Sequence, residues 1–302
     1  MAKIIFFGNE RLATGVTTTT PTLQALINNG HEVVAVVSNY EIATSRKSRS
    51  LEIADVAQQH GIPVLLPNKP SEISDQLASY QADIGILVAY GKIVPQSIID
   101  IFKHGIVNIH PSNLPKHRGP TPVESVILQG EKQTAVSVMQ LVSAMDAGPV
   151  YKQQVVQLYG HETKQQLSDK LLQIGSELII DVLPGVLQGT LKPVEQNNNI
   201  ATYDSLIKKS DGLIDWTKSA EQIEREVRAY AGWPKSYTQI NGIELAVTKV
   251  MVVEQKGVVG RYIVNGKELL MHCGQNSIAI ERLVPAGKSE MDSQAFINGY
   301  LR

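Results

Sequence analysis

The segment Gly105-Ile-Val-Asn-Ile-His-Pro-Ser-Asn-Leu-Pro-Lys-His-Arg-Gly-Pro-Thr-Pro122 is the one around which the rest of the chain is organised. Its apolar start, residues 106–109, predicts a buried strand, and four prolines then follow within twelve residues. Proline cannot donate to a strand ladder or continue a helix, so the chain must leave the sheet near His110. Asn108 and His110 are two residues apart, which places both side chains on one face at the carboxyl end of the strand.

The surrounding sequence alternates short apolar runs with helical patterns. Lys3 to Phe7, Val33 to Val37 and Ile84 to Val88 are further predicted strands, and helical segments lie between them. This alternation predicts an α/β fold with a doubly wound, mostly parallel, Rossmann-like sheet. Ligands bind such sheets at the carboxyl ends of the strands, which is where the stretch after His110 begins.

Two local features set helix boundaries in this part of the chain. Thr20-Pro21 predicts an N-cap followed by a proline in the first helical turn. Thr163 to Leu187 has the apolar spacing of a long amphipathic helix, which we expect Pro184 to interrupt.

Composition divides the chain into three predicted parts: a first domain over residues 1–188, a polar linker over 189–204 and a small domain over 205–302. In the last part, short apolar runs are separated by four residue pairs ending in glycine. These pairs are Asn241-Gly242, Lys256-Gly257, Asn265-Gly266 and Cys273-Gly274. Short strands joined by such turns predict a small, OB-like β-barrel.

Composition also excludes several classes of protein. The 302 residues carry a formal net charge of −1, so the net charge neither favours nor excludes binding to nucleic acid. A single cysteine, Cys273, leaves no intramolecular disulfide and no multi-cysteine zinc site. We see no continuous apolar run of membrane-spanning length and no signal peptide at the amino terminus, so we expect a cytoplasmic protein without a membrane partner.

Asn108, His110 and Asp146 are the candidate catalytic residues. An imidazole can accept a proton from an attacking amine, a carboxylate can orient it, and an amide can stabilise a developing oxyanion. Each residue also has a simpler interpretation, because a lone histidine is often structural and an aspartate before Gly-Pro often belongs to a turn. His117, Arg118 and Gly119 are interpreted as the rim of the loop.

Other cofactor chemistry is not supported by the sequence. Gly8-Asn-Glu-Arg-Leu-Ala13 is not a G-x-G-x-x-G fingerprint, so a dinucleotide is not expected. The histidines have no acidic partner at metal-ligand spacing, and we expect no metal.

Several motifs together resemble a known family. Asn108-Ile-His-Pro-Ser-Asn-Leu-Pro115, followed by Met145-Asp-Ala-Gly-Pro-Val150, is similar to the N-x-H-x-S-x-L-P…D-x-G signature of formyltetrahydrofolate-dependent formyltransferases. Val88-Ala-Tyr-Gly91 resembles a segment of their folate pocket. In the second half, Gly232-Trp-Pro234 and Pro285-Ala-Gly-Lys288 resemble the carboxyl-terminal domain of the methionyl-tRNA formyltransferases.

The resemblance implies a function and a set of site residues. Asn108, His110 and Asp146 would be the catalytic triad that moves the formyl group of 10-formyltetrahydrofolate to the amino group of methionyl-initiator tRNA. The small domain would bind tRNA, and the enzyme would need no metal. We expect it to be a monomer. The residues implied to border the folate are Tyr90, Gly91, Ser112, Asn113, Leu114 and Pro115.

The chain departs from the family in two loops. After the first strand it has Gly8-Asn-Glu-Arg-Leu12 and a threonine-rich insert in place of Gly-Thr-Pro-Asp/Glu-Phe. The loop over residues 39–50 keeps only the basic character of the family's loop, through Arg46, Lys47 and Arg49. These three are candidate tRNA contacts, and a solvated loop is the alternative.

Three other functions remain open at this point. A nucleotide-sugar N-formyltransferase would combine a similar catalytic domain with another small domain, and a formyltetrahydrofolate hydrolase would use the same triad with water. A non-catalytic RNA-binding protein is the alternative from a different class, although simple binding does not require all three residues.

Overall fold

The computed structural model describes residues 1–39 and 51–301, which fall into two compact units. The first unit comprises residues 1–122, 133–158 and 165–205, and the second comprises residues 123–132, 159–164 and 206–302. The segment predicted as a linker, 189–204, thus lies within the first unit. The predicted boundaries after residues 188 and 204 stay predictions.

The first unit is built on a seven-stranded sheet in the order β3-β2-β1-β4-β5-β6-β7. The five strands from β3 to β5 are parallel, and β6 and β7 extend the sheet in antiparallel pairing. The strands are β1 (Lys3–Gly8), β2 (Glu32–Val37), β3 (Val64–Leu65), β4 (Ile84–Val88), β5 (Ile106–His110), β6 (Gln133–Gln140) and β7 (Val150–Gln157). Every residue of β4 and β5 is buried, as expected for strands covered on both faces. The predicted mostly parallel, Rossmann-like sheet is confirmed.

Over the described residues 1–39 and 51–188, the structure contains six α-helices. They are α1 (Pro21–Asn28), α2 (Glu52–Gln59), α3 (Ser74–Ser79), α4 (Gln96–Ile99), α5 (Pro122–Gln129) and α6 (Lys164–Gln188). A 3₁₀ turn over Pro70–Ile73 precedes α3, and another lies at Asn198–Ile200.

Helix α6 continues through Pro184, so the predicted interruption there is wrong. A helical backbone already has the φ that proline requires, and the loss of one hydrogen bond does not end a helix whose apolar face is buried. By length and composition α6 could also cross a membrane, but half of its most apolar segment is buried inside the protein. Core helices of globular proteins meet the same criterion.

Gly8 allows the carboxyl ends of β1 and β4 to meet. A Cβ atom at this position would lie 1.8 Å from the carbonyl oxygen of Val88, and the φ of Gly8 is +131°. Only glycine fits such an approach. The chain order reverses between these two strands, which is the edge where open α/β sheets bind ligands.

Glu10, and not the predicted Thr20, caps helix α1. Thr20 has a left-handed backbone with φ 52° and no side-chain capping bond. The Glu10 carboxylate instead accepts hydrogen bonds from the backbone N–H groups of Thr22 and Leu23, each at 2.8 Å. Glu10 is only 1% exposed, and this burial raises its pKa to about 7 despite the two bonds.

The buried carboxyl group of Glu10 predicts a pH dependence of stability. The folded-state pKa of about 7 exceeds the ordinary value of 4.5, so the native state binds this proton more tightly than the unfolded chain does. The free energy of unfolding should therefore fall as pH rises from about 4.5 to about 7, by about 3 kcal/mol at most from this group.

Urea titrations at several pH values measure this slope, and Glu10→Gln should flatten it whatever its effect on absolute stability. An unaltered slope in the variant would show that Glu10 does not titrate in this window.

The second unit contains an antiparallel sheet in the order β10-β11-β12-β9-β8, with β13 paired to β12. Its strands are β8 (Ser236–Ile240), β9 (Ile243–Val253), β10 (Tyr262–Asn265), β11 (Glu268–His272), β12 (Ser277–Pro285) and β13 (Met291–Asp292). Helix α7 (Ala220–Ala229) precedes the sheet, and α8 (Ser293–Phe296) and a π turn (Ile297–Leu301) follow it. The four predicted glycine turns all connect strands of this sheet, which confirms a separate antiparallel β domain.

A buried ion pair lies in the second unit. Lys164 and Glu124 approach to 3.7 Å with both side chains 1% exposed, and the ammonium of Lys164 also donates to the carbonyl of Trp233 at 2.9 Å. Desolvation by burial lowers the pKa of Lys164 although the carboxylate opposes this effect. The pair thus connects residues that are far apart in the sequence.

Lys164→Met should destabilise the protein by about 3–5 kcal/mol, because Glu124 would then be buried without its counterion. The double variant Lys164→Met/Glu124→Leu should recover most of this loss, since two apolar side chains need no pairing. Chemical denaturation of both variants measures the difference. A double variant no more stable than the single one would contradict this explanation.

Candidate active site

Strand β5 carries two of the three candidate catalytic residues. Asn108 and His110 are each 5% exposed, and they lie on one face at the end of the strand. Asn108 pairs with Leu87 of β4, and His110 pairs with Ser137 of β6. Because both neighbouring strands hold β5 in register, the sheet fixes the backbone positions of these two residues.

The chain turns sharply after His110, as the prolines predict. The backbone N–H of Ser112 donates to the carbonyl of His110 at 2.9 Å, and the Ser112 hydroxyl donates to the carbonyl of Lys116 at 2.7 Å. Ser137 of β6 donates its hydroxyl to the carbonyl of Ser112 at 2.6 Å. Ser112 is fully buried and its hydroxyl proton is engaged, so it is not placed to act as a nucleophile.

Asp146 lies in the turn between β6 and β7, and the turn brings it to His110. Its Oδ1 is 3.7 Å from Nδ1 of His110, and its Oδ2 accepts the backbone N–H of Gly119 at 2.8 Å. The turn depends on Gly148, where a Cβ atom would lie 1.9 Å from the carbonyl oxygen of Gln140. This explains the glycine of the D-x-G motif in terms of space.

One hydrogen bond determines which nitrogen of His110 can act as a base. Nε2 of His110 lies 2.8 Å from the carbonyl oxygen of His117. A carbonyl oxygen only accepts, so Nε2 carries a proton and donates it. In the neutral ring the lone pair is then on Nδ1, the nitrogen that faces Asp146.

A second histidine–aspartate pair lies beside the first. Nδ1 of His117 is 3.1 Å from Oδ2 of Asp204, and His117 is 3% exposed. The backbone N–H of His117 donates to the hydroxyl of Thr202 at 2.8 Å. The sequence interpretation of His117 as a loop rim is therefore wrong.

Arg118 is also buried, at 1% exposure, and it is held by three side chains of the segment that follows α6. Its guanidinium donates to Gln196 (2.8 and 3.1 Å), Asn198 (2.7 Å) and the hydroxyl of Tyr203 (2.9 Å). It also lies over the ring of Tyr203, 5.6 Å from the centroid. The interpretation of Arg118 as part of the loop rim is therefore also wrong.

The residues expected to border the folate occupy two places. Leu114 is buried beside Ser112, and its carbonyl accepts from Gln153 at 2.8 Å. Asn113 and Pro115 are partly exposed in the same loop. The ring of Tyr90 is packed edge-on against Phe7 in the core, where desolvation raises its pKa to about 12. The side chain of Tyr90 thus lies in the core, whereas its neighbour Gly91 is exposed.

The three basic candidates for tRNA binding, Arg46, Lys47 and Arg49, lie outside the described residues. Over residues 1–39 and 51–301, no group of three His, Cys, Asp or Glu side chains is arranged to hold a metal ion. A surface groove between α1 and α6 contains none of the predicted site residues.

Comparisons with known proteins define the class. The model of the formyl transferase family matches residues 2–183, and the model of the formyl transferase carboxyl-terminal domain matches residues 206–301. Methionyl-tRNA formyltransferase from Geobacter sulfurreducens is 34% identical over 99% of this chain and 94% of its own length. The chain therefore belongs to the formyl transferase family, and within it to the methionyl-tRNA formyltransferases.

Solved structures show the same fold at lower identity. Methionyl-tRNA formyltransferase from Clostridium thermocellum matches with a TM-score of 0.55 and 16% identity, over 93% of this chain and 99% of that one. The N-formyltransferase from Helicobacter canadensis, in complex with folinic acid and dTDP-3-aminofucose, matches with a TM-score of 0.69 and 19% identity over the same shares. Structural likeness alone thus does not separate tRNA from sugar acceptors.

Proposed function

We propose that this protein transfers the formyl group of 10-formyltetrahydrofolate to the amino group of methionyl-initiator tRNA, a step of translation initiation. The observation that carries the proposal is the approach of Asp146 to His110, on a strand that also presents Asn108. The full-length relatives named methionyl-tRNA formyltransferase favour this acceptor.

A buried acceptor beside Gly91 supports binding of the folate donor at this edge of the sheet. Asn39 donates through Nδ2 to the carbonyl of Tyr90, while its buried Oδ1 has no hydrogen-bond donor among the described residues. Buried polar atoms are almost always paired, so this oxygen suits a donor group on a ligand, such as a pterin N–H. The folate supplies an activated formyl carbon when bound.

His110 and Asp146 would transfer the proton of the acceptor amine to the folate nitrogen. Nδ1 of His110 takes a proton as the amine attacks, and the adjacent Asp146 carboxylate favours the resulting imidazolium. The proton on Nε2 stays in its bond to His117. His110 then returns the proton to the folate nitrogen as the carbon–nitrogen bond breaks, so no net charge is gained or lost.

Asn108 would stabilise charge on the formyl oxygen. Its amide N–H₂ is a donor on the same face of β5 as His110, and both residues are almost fully buried. A donor fixed by the sheet in a site of low dielectric needs little reorganisation, which is the condition under which such groups lower barriers most.

Incubation with 10-formyltetrahydrofolate and several acceptors tests this function. We expect methionyl-initiator tRNA to acquire the formyl group, while amino-sugar nucleotides and water do not. Formylation of the sugar would identify a nucleotide-sugar N-formyltransferase. Release of formate without any acceptor would identify a hydrolase, and binding of tRNA without transfer would indicate a non-catalytic RNA-binding protein.

For the basic loop, we propose that Arg46, Lys47 and Arg49 contact phosphates of the tRNA. Reversing these three charges should raise KM for tRNA and flatten the salt dependence of binding by about one unit of log–log slope for each lost contact. Binding measured from low to moderate salt tests this, with Lys103→Glu as a surface control. An unchanged slope would return the loop to a solvated role.

The cellular setting follows from this function. We propose that the protein acts in the cytoplasm as a monomer, with tRNA and folate as its partners and without a membrane or a metal.

A further inference from the structure

We propose that residues 196–204, here called the strap, position both members of the His110–Asp146 pair for catalysis. The sequence assigns these residues to a linker, yet they belong to the first unit and are hydrogen-bonded to the two loops that carry the site. This inference rests on the proposed function, and it assigns positioning roles to Gln196, Thr202 and Asp204.

Gln196 holds the turn that carries Asp146. Its Nε2 donates to the backbone carbonyl of Asp146 at 2.8 Å and to that of Gly148 at 2.7 Å. Asp146 has a positive φ of 46°, an uncommon conformation for a residue with a side chain. Two hydrogen bonds to the carbonyls on either side of Ala147 oppose relaxation of this turn.

The same side chain of Gln196 is fixed by Arg118. Oε1 of Gln196 accepts two bonds from the buried guanidinium, which leaves Nε2 directed at the turn. Arg118 lies in the loop that follows His110, so Gln196 connects that loop with the turn of Asp146.

Thr202 and Asp204 hold His117, and His117 in turn holds the catalytic histidine. Thr202 accepts the N–H of His117, and Asp204 pairs with its ring at 3.1 Å. The carbonyl of His117 is the group that accepts the hydrogen bond from Nε2–H of His110. His117 also has a positive φ, at 57°, so its peptide needs support from outside the loop.

The strap thus contacts the turn of Asp146 through Gln196 and the support of His110 through Thr202 and Asp204. Displacing either loop would change the alignment of Nδ1 with the substrate amine. Errors of about 1 Å in a reacting group can lower rates about 100-fold, so these bonds should affect turnover more than substrate affinity.

Gln196→Glu tests the role of the two donated bonds. A glutamate keeps the size of the side chain and can still accept from Arg118, but it cannot donate to Asp146 and Gly148. We expect kcat to fall about 10-fold with KM for both substrates within twofold of wild type. Gln196→Ala should lower kcat at least as much, and Asn199→Ala, an exposed residue of the same strap, should leave kcat unchanged.

Asp204→Ala and Asp204→Asn test the other end of the strap. The alanine variant should lower kcat about 10-fold, and the asparagine variant should restore most of it, because an amide oxygen can still accept from His117. Thermal unfolding of each variant confirms that rates are compared in the folded state. If Gln196→Glu does not fold, the two Asp204 variants decide the question.

The outcomes separate this proposal from the function on which it rests. A wild-type protein that formylates no tRNA would overturn the proposed function. If the wild type is active, a Gln196→Glu variant with full kcat would overturn the positioning role of Gln196 and leave the proposed function standing. A loss of kcat in Asn199→Ala as large as that in Gln196→Glu would have the same meaning. Equal losses of kcat in Asp204→Ala and Asp204→Asn would overturn the positioning role of Asp204.

Discussion

His110→Ala is expected to lower kcat for formyl transfer by about 10³-fold, within the range of about 10²–10⁴ that general acid–base groups contribute. The variant lacks the imidazole that accepts the amine proton. Among the described residues, β5 places no other such group next to Asp146. Folding should persist, because β5 keeps its backbone pairing to β4 and β6. Single-turnover transfer from 10-formyltetrahydrofolate to methionyl-tRNA measures the loss.

A surface histidine provides the control for this variant. His60 is exposed after α2, and His60→Ala should leave turnover unchanged. Binding of tRNA to His110→Ala should equal that of wild type, since the proposed role of His110 is chemical. A His110→Ala enzyme with more than a tenth of the wild-type kcat would remove this histidine from the mechanism.

Asp146→Asn is expected to cause a loss of similar size, about 10³-fold in kcat. The amide oxygen can still accept the N–H of Gly119, which keeps the turn in place. The amide nitrogen then faces Nδ1 of His110, where it donates a hydrogen bond to the lone pair that should take the amine proton. The variant also lacks the negative charge that favours the imidazolium.

The control for Asp146→Asn is Asp181→Asn on α6. Asp181 forms an exposed ion pair with Lys152, with its side chain 62% exposed, so its loss should affect neither stability nor turnover noticeably. If Asp146→Asn retained the wild-type rate, the carboxylate would serve only to hold the turn.

The sheet and the catalytic strand could be predicted because their signals are local. Continuous apolar runs identified the buried parallel strands, and the prolines after His110 identified the end of β5. Period-two alternation then placed Asn108 beside His110. The turns of the second unit were equally local, since a glycine with positive φ marks most of them.

The capping of α1 could not be predicted, because it depends on a contact across a loop. Thr20 has the residue type and position of an N-cap, but its backbone is left-handed and Glu10 accepts the N–H groups at the start of the helix instead. A carboxylate twelve residues before its partner leaves no periodic signal. The predicted interruption of α6 at Pro184 was wrong for a related reason, because tertiary packing outweighed the local helix propensity.

The contacts of residues 196–204 with the active-site loops could not be predicted either, because they also join residues that are distant in the sequence. The ring of His117 meets Asp204, which is 87 residues further along the chain, and Arg118 meets Gln196 at a separation of 78. A polar segment with three consecutive asparagines is typical of a linker. The His-Arg pair within the catalytic loop could have raised doubt, since an imidazole and a guanidinium beside a proton-accepting histidine both need hydrogen-bond partners.

A crystal structure with an unreactive formyl-folate bound would test this arrangement of Asn108, His110 and Asp146. We expect the formyl carbon at the carboxyl end of β5, with its oxygen within hydrogen-bond reach of Asn108, about 2.6–3.2 Å, and its carbon facing Nδ1 of His110. Folate bound away from β5, or Asp146 directed away from His110 in that complex, would contradict it.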